Sequence, residues 1–443
     1  MGDLNTATNG LAIDRVSRNW LYREEGARWL SVALIGYGEE GEILADWLVK
    51  IPNVRIVTVC DIWEYRRKLA RGRSMAYGHG VTVYEDYCEM LEKEGGSVDA
   101  VFVATPDFCH AEHVGAALGA GKHVYCSAPL AHTLADAEAI VRAHAASGKI
   151  MQVGYTRRSD PRYRHAIESC ILRERLLGRV THARTQWHRS VQPLLSIKER
   201  LKMPTESLQR YGYATMEEFL NWRWFQPYSA GQLMTLGVYG LDVCLWVWDC
   251  VEASVSAIGG NDFYNRAVNE DGLALFEFKT REGQTARACC HVVNTTSSGG
   301  FYEELMGERG SLRISPIVGR GNAFTRELDD GVPSWNLVER RGDLIGPETE
   351  PEITLVARGG CCDCCASVNV VVGKIPNVDT YVLPGAVRAF GGGFSHVDNF
   401  IQAVRSENPS IVTCPPATAL RTERAMFAAC EAMKTRSRVT VEL

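Results

Sequence analysis

The stretch "LIGYGEEGEIL", residues 34–44, decides the fold. It follows the apolar run "WLSVALIG" and opens "EEGEILADWLVK", whose apolar residues recur at helical spacing. Gly36, Gly38 and Gly41 stand where a strand turning into a helix needs them. One permits the tight turn, one the approach of a ligand, and one the close packing of helix on strand. The next β-branched run, "VRIVTVCD", ends in Asp61, twenty residues past Gly41. A helix N-terminus offers unpaired N–H groups to a diphosphate. An acid at the end of the second strand accepts a ribose diol and repels a 2′-phosphate. The reading is a dinucleotide cradle for NAD, with Arg66 and Arg67 keeping NADP open. Glu39 and Glu40 lie where the diphosphate must go, and are expected to turn outward into screening solvent.

Outward from this stretch, strand and helix patterns alternate to about residue 155. "VDAVFVATP", "KHVYCS" and "KIMQVGY" read as strands, and "FCHAEHVGAALGAG" and "LADAEAIVRAHAASG" as helices. Buried strands separated by helices imply a parallel sheet covered on both faces. Residues 30–155 are therefore expected to form a doubly wound domain. Beyond it, "RVTHARTQWHR", "VEASVSAIGG", "GLALFEFKT" and "TARACCHVVN" follow with few helices between them, which predicts an open, mostly antiparallel sheet. Residues 316–393 read as an irregular insertion. "SHVDNFIQAVRS" and "ATALRTERAMFAACEAMKT" are helices before a final strand, "RVTVEL". The fold class is α/β: an N-terminal doubly wound parallel sheet and a C-terminal α+β domain, residues 156–443.

At 443 residues the chain has room for two domains. Its net charge of −5, with no basic stripe, argues against nucleic acid as a partner. No apolar run approaches the length of a membrane span, and residues 1–29 read as a polar leader without the apolar core of a secretory signal. Most of the fifteen cysteines sit singly in apolar runs, as reduced thiols of a cytoplasmic protein do. Cys361, Cys362, Cys364 and Cys365 cluster, but no second pair or histidine nearby completes a zinc site. No metal is expected.

The motif "VFVATPDFCHAEHV", followed by "AGKHVYCSAPLAHT", resembles the glucose–fructose oxidoreductase, inositol dehydrogenase and MocA (Gfo/Idh/MocA) family. Ala104, Thr105, Pro106 and His110 match the family's A-T-P-x-x-x-H. The likeness continues in "QVGYTRRSDPRY", "NWRWFQPYSAGQLMTLGVYGLDV", "GERGSLRI" and "HVDNFIQAVRSENP". It implies a Rossmann domain and a C-terminal domain whose sheet forms the substrate wall and often an oligomer interface, so a homo-oligomer is expected. It adds Ala104, Thr105, Pro106, His110, Ser127 and Pro129 to the cofactor-binding set, with His110 acting through its neighbours.

At the catalytic positions the sequence departs from the family. The family's E-K-P is Ser127, Ala128 and Pro129, and its later aspartate and histidine are Thr235 and Tyr239. One positioned acid–base group is worth roughly 10² to 10⁴ in rate, so the loss is large unless replaced. Tyr239 is the first candidate, with Arg158 as the cation that would lower its pKa, and His188 as a displaced base. Tyr163, Trp222, Trp224 and Arg223 are further candidates for the pocket wall. The resemblance implies an NAD(P)-dependent oxidoreductase acting on a sugar, cyclitol or related polyol. Two alternatives stay open: a non-catalytic dinucleotide or sugar sensor with a regulatory protein partner, and an NAD-dependent glycosidase.

Overall fold

Six short apolar segments build the N-terminal sheet: β1 (Leu30–Ile35), β2 (Val54–Cys60), β3 (Thr82–Tyr84), β4 (Ala100–Val103), β5 (His123–Cys126) and β6 (Met151–Val153). The structure is a computed structural model that describes residues 28–78, 80–316, 323–326 and 392–443. The strands pair in the order β3-β2-β1-β4-β5-β6, all parallel. β1 is buried along its whole length, as a central strand covered on both faces must be. Helices α1 (Glu39–Leu48), α2 (Glu64–Ala76), α3 (Tyr87–Glu94), α4 (His110–Gly119) and α5 (Leu134–Ser147) make the connections. Strand order reverses between β1 and β4, which opens a crevice beyond their carboxyl ends. This is the doubly wound sheet that the alternating pattern predicts.

The second sheet has eight strands: β7 (Val180–His188), β8 (Cys250–Ile258), β9 (Gly272–Thr280), β10 (Thr285–Val293), β11 (Phe301–Gly307), β12 (Gly310–Ile314), β13 (Ala323–Arg326) and β14 (Val439–Glu442). Their order is β13-β12-β11-β7-β10-β9-β8-β14. Only the β7–β10 pair is parallel, so the sheet is mixed and mostly antiparallel. In β9, β10 and, from Ala183 on, β7 burial alternates residue by residue. The buried face lies against α9 (Val238–Val247) and α11 (Pro416–Thr435), while Ile258 and Leu275 on the other face are 70% and 56% exposed.

The remaining helices are α6 (Pro161–Arg164), which runs on as the π-helical His165–Arg173, then α7 (Thr205–Arg210), α8 (Met216–Leu220) and α10 (Gly392–Arg405). Late in the chain, α10 returns to the N-terminal sheet. Its Phe394, Val397, Phe400 and Ile401 pack with Leu44, Phe102 and Tyr125, and the Phe102 and Phe400 rings meet edge-on at 5.4 Å. Between β7 and α9, an aromatic lobe carrying Met203, Leu208, Tyr213 and Trp222 packs on Trp63, at the end of β2. Strand β13 lies inside the segment expected to be irregular. Most of the rest of that segment, including the four clustered cysteines, lies outside the described residues, as does most of the expected leader.

Candidate active site

The turn after β1 is shaped for close approach. Gly36 has φ +90°, and a Cβ there would meet the Ala104 carbonyl oxygen at 2.7 Å. A Cβ on Gly41 would meet the Gly36 oxygen at 2.2 Å, so only glycine lets α1 start this close to the strand. A Cβ on Gly38 would find nothing within 4 Å. Gly38 stands at the N-cap of α1 with an extended backbone and no capping side chain of its own. These features fit a diphosphate bridging the turn.

Asp61 is fixed beside the glycine turn. Its two carboxylate oxygens accept the Tyr37 and Trp63 amides, each at 2.8 Å. Burial raises its pKa, and those two amides with Arg66 and Arg67 oppose the rise. Arg66 pairs with Glu42 and lies 5.7 Å over the Trp63 ring, and Arg67 donates to the Asp61 carbonyl and to Glu85. Both arginines are thus held by groups of the protein, which favours NAD over NADP. Alongside, a cavity of about 290 Å³ is bordered by Trp63, Tyr65, Arg67, Lys68 and Lys202.

The two glutamates part company. Glu39 is exposed, as expected. Glu40 is only partly exposed, and burial pushes its carboxyl up to about 7 against the pull of Arg223 from the aromatic lobe. At neutral pH much of its charge is therefore removed by a proton, which relieves the conflict with a diphosphate.

The A-T-P segment and the Ser127–Pro129 segment lie side by side. Val103 pairs with Cys126, Ala104 N–H donates to the Ile35 carbonyl, and Ser127 N–H to the Val103 carbonyl. His110 ties the two loops: Nε2 lies 2.9 Å from the Thr105 oxygen, and Nδ1 3.0 Å from the oxygens of Pro129 and Leu130. Burial lowers its pKa, so a neutral ring donates to one loop or the other. His110 lies behind both loops and holds one of them through its single N–H. Pro129 follows a cis peptide bond.

Tyr239 stands over this loop. Its hydroxyl donates to the Ala128 carbonyl at 3.2 Å, and its ring lies 5.5 Å from Trp187 and 5.8 Å from Tyr155. The expected cation is the wrong one of two neighbours. Arg158 is buried in a two-point ion pair with Asp242, at 2.8 and 2.9 Å, and does not serve Tyr239. Arg157 instead lies 5.4 Å over the Tyr239 ring and pairs with Glu303 at 3.1 Å. His188 is also displaced. Successive strand residues face opposite ways, and Trp187 takes the side of Tyr239. His188 lies on the other side, with Nδ1 2.8 Å from the Ser298 oxygen and Nε2 3.0 Å from His291. Thr235 spends its hydroxyl on the Gly231 carbonyl.

The wall candidates divide as well. Tyr163 is a core residue bonded to Glu303, and Trp224 packs on Tyr264 at 4.7 Å. Trp222 meets Phe108 edge-on at 5.9 Å, which brings the exposed Arg223 to the cleft, where its charge acts on Glu40 and Asp107.

Two residues absent from the sequence reading belong here. Asp107, inside the A-T-P motif, is 4% exposed, and burial pushes it up to about 7 against Arg223. Glu423 on α11 is fully buried and pushed up to about 8 by burial. It accepts from Leu130 N–H at 2.6 Å and the Tyr155 hydroxyl at 2.8 Å, and so holds the loop that carries Ala128. A signal existed for each. Asp107 is an acid in an apolar motif, and Glu423 falls on the apolar stripe with Ala419 and Met426.

Comparison with known proteins accounts for the arrangement. Residues 30–155 match the profile of the oxidoreductase family with an NAD-binding Rossmann fold, and residues 169–313 match the GFO/IDH/MocA C-terminal domain. The inositol 2-dehydrogenase of Rubrobacter xylanophilus is 27% identical over 314 residues, 68% of this chain and 77% of that protein. The 4-carboxy-2-hydroxymuconate-6-semialdehyde dehydrogenase of a Sphingobium species is 36% identical over 137 residues, 31% of this chain and 41% of that protein. Scyllo-inositol dehydrogenase from Lactobacillus casei, solved with bound NAD(H) and scyllo-inositol, shares the fold with a TM-score of 0.60 at 18% identity, over 94% of this chain and 99% of its own. No helix among the described residues is long and apolar enough to cross a membrane. With both domain profiles matched in order over more than half its length, the chain belongs to the Gfo/Idh/MocA oxidoreductase family, and its N-terminal domain is an NAD-binding Rossmann fold.

Proposed function

We propose that the protein is an NAD-dependent dehydrogenase of a cyclitol, sugar or related polyol. The observation that carries the reading is the cradle: Gly36 and Gly41 admit no side chain, and Asp61 is held beside them by two backbone amides. A bound nicotinamide supplies the hydride acceptor. The turn of Gly36–Gly41 would hold the diphosphate and Asp61 the adenosine ribose. The loops bearing Thr105, Pro106, Ser127 and Pro129 would border the nicotinamide end. Tyr239, whose hydroxyl already meets the Ala128 carbonyl, would orient a substrate hydroxyl over that ring. Arg157 stabilises electron density on the tyrosine ring by lying over its face. The inositol 2-dehydrogenase relative supports the substrate class.

A second reading is a dinucleotide-binding sensor without turnover. It is favoured by the methyl of Ala128 and by the Thr235 hydroxyl, which is spent on its own helix. Incubation with NAD+ and a panel of inositols, aldoses and sugar acids separates the two, read as nicotinamide absorbance. Substrate-dependent reduction that falls in Tyr239→Phe supports the dehydrogenase. Tight NADH binding with no reduction across the panel supports the sensor, and aglycone release without net reduction would point to glycosidase chemistry.

A further inference from the structure

The cavity of about 290 Å³ beside Trp63 lies between the start of α2, the end of β3 and the aromatic lobe. None of Gly36, Gly38, Gly41, Asp61, Thr105 and Pro106 borders it, so it is separate from the dinucleotide cradle. Its wall is basic. Arg67 and Lys68 on α2 and Arg200 and Lys202 on the lobe line it, against two acids, Glu64 and Glu85. Both acids are already engaged. Glu64 pairs with Lys68 at 2.8 Å, and Glu85 takes Arg67 at 3.0 Å, the Tyr211 hydroxyl at 2.8 Å and Arg210. Lys202 pairs with Glu199, whose side chain is 87% exposed, and Arg200 makes no ion pair among the described residues. Exposed pairs of this kind hold weakly and give way to a better anion. Glu64 and Tyr65, in the first turn of the thirteen-residue α2, also line the cavity, so the positive end of that helix opens on it.

We propose that this cavity is a second ligand site, which binds a phosphate monoester between α2 and the lobe and tightens the hold on the dinucleotide. Four cations against two acids leave two positive charges in a chain whose net charge is −5. A phosphate monoester carries close to two negative charges at neutral pH and three acceptor oxygens, enough to meet donors from both walls. The volume equals roughly that of ten water molecules, more than a phosphate group fills, which leaves room for a small organic residue beside Tyr65.

Two residues join the cavity to the cradle. The Trp63 amide donates to the Asp61 carboxylate at 2.8 Å, and its indole N–H donates to the carbonyl of Leu201 at 2.9 Å. Leu201 itself lines the cavity. Arg67 donates to the Asp61 carbonyl at 2.7 Å and to Glu85 at 3.0 Å. The Trp63 ring also meets Phe219 of the lobe edge-on at 5.5 Å. An anion bridging Arg67 and Lys68 to Arg200 and Lys202 holds the lobe against the start of α2. It thereby fixes Trp63 and Arg67, which hold Asp61. Linkage makes the effect reciprocal: the dinucleotide tightens the ester by the same factor. The binding site stands on the cavity alone, while its effect on the cofactor rests on the dinucleotide reading.

The test is calorimetric titration of the full chain, saturated with NADH so that the cradle is occupied, with glucose 6-phosphate, inorganic phosphate and glucose. The ester should bind one to one with a Kd at or below about 1 mM, and glucose should not bind. Arg200→Glu combined with Lys202→Glu reverses two exposed charges and should weaken the ester about tenfold or more, with the melting temperature unchanged. An ester about tenfold tighter than inorganic phosphate assigns the site to a phosphorylated metabolite, and equal affinities assign it to phosphate itself. At constant ionic strength the ester should lower the Kd for NADH about fivefold, and the double variant should lose that response. Competition at the cradle would instead raise that Kd. No binding of ester or phosphate up to about 10 mM would overturn the proposal, as would binding that survives the charge reversal or an ester that leaves the Kd for NADH unchanged or raised. Failure of NADH to bind would overturn the dehydrogenase reading, and titration of the free protein and its double variant with the ester would still decide the cavity.

Discussion

Raising the pH from 6 to 8 should weaken NADH binding about tenfold, and Glu40→Gln should remove the effect. Glu40 stands in the first turn of α1, and burial puts its carboxyl at about 7 in the empty cleft. A diphosphate carries two charges. At about 6 Å and an effective dielectric between 20 and 80, it repels an ionised Glu40 by about 1.4 to 5.5 kcal/mol. Over most of that range the ionised form binds negligibly, and the apparent Kd rises as one plus the ratio of ionised to protonated Glu40. That factor is about 1.1 at pH 6, 2 at pH 7 and 11 at pH 8. Tryptophan-to-nicotinamide energy transfer at constant ionic strength measures it. The glutamine variant should bind with the same affinity, within about twofold, across the range, and at pH 8 it should bind about tenfold tighter than the unmodified protein. An unmodified protein whose affinity is flat with pH would refute the reasoning, as would a variant that keeps the slope.

Other outcomes follow from buried charges and from the loop. Arg158→Ala leaves Asp242 buried and uncompensated, and should cost about 3–5 kcal/mol in urea unfolding, much of it recovered when Asp242 is also made Leu. Glu423, raised from 4.5 to about 8, holds an extra proton in the folded state between those values. Stability from this group is therefore complete below about pH 4.5 and is lost as pH rises through 8. Glu423→Gln should flatten that decline and unfold at a higher temperature than the unmodified protein at pH 8, with a gain of the order of a few kcal/mol. Tyr239→Phe keeps the ring against Trp187 and loses only the hydroxyl bond to Ala128, so stability should change by about 1 kcal/mol while turnover falls.

The N-terminal domain was legible because its signals are local. β1, the glycine turn and Asp61 lie within one βαβ unit, where apolar runs, helical spacing and turn residues all agree. The second sheet was legible as strands but not as a topology. Nothing in the run of β8, β9 and β10 says that β10 will lie parallel to β7, because that pairing joins segments about a hundred residues apart. The hairpin of β11 and β12 is carried by "FYEELMGERGSLRI", two alternating runs about a short turn.

At the site, the misplacements come from direction. Arg157 and Arg158 share a 3₁₀ turn, and their identical chemistry hides which one turns to Tyr239 and which to Asp242. His188 was separable from the cleft, since the buried Trp187 beside it fixes the parity of β7. Asp107 and Glu423 were overlooked for a different reason. An acid in an apolar stretch reads as solvated until packing shows that both side chains are buried.

The account stands first on the cradle, and titration of the purified protein with NADH at pH 6.5 tests it most directly. Energy transfer from tryptophan should saturate for the unmodified protein and vanish in Gly41→Val, whose side chain would collide with the Gly36 carbonyl at the start of α1. Circular dichroism would show that the variant is folded. An unmodified protein that gives no saturable signal up to millimolar NADH would contradict the central claim.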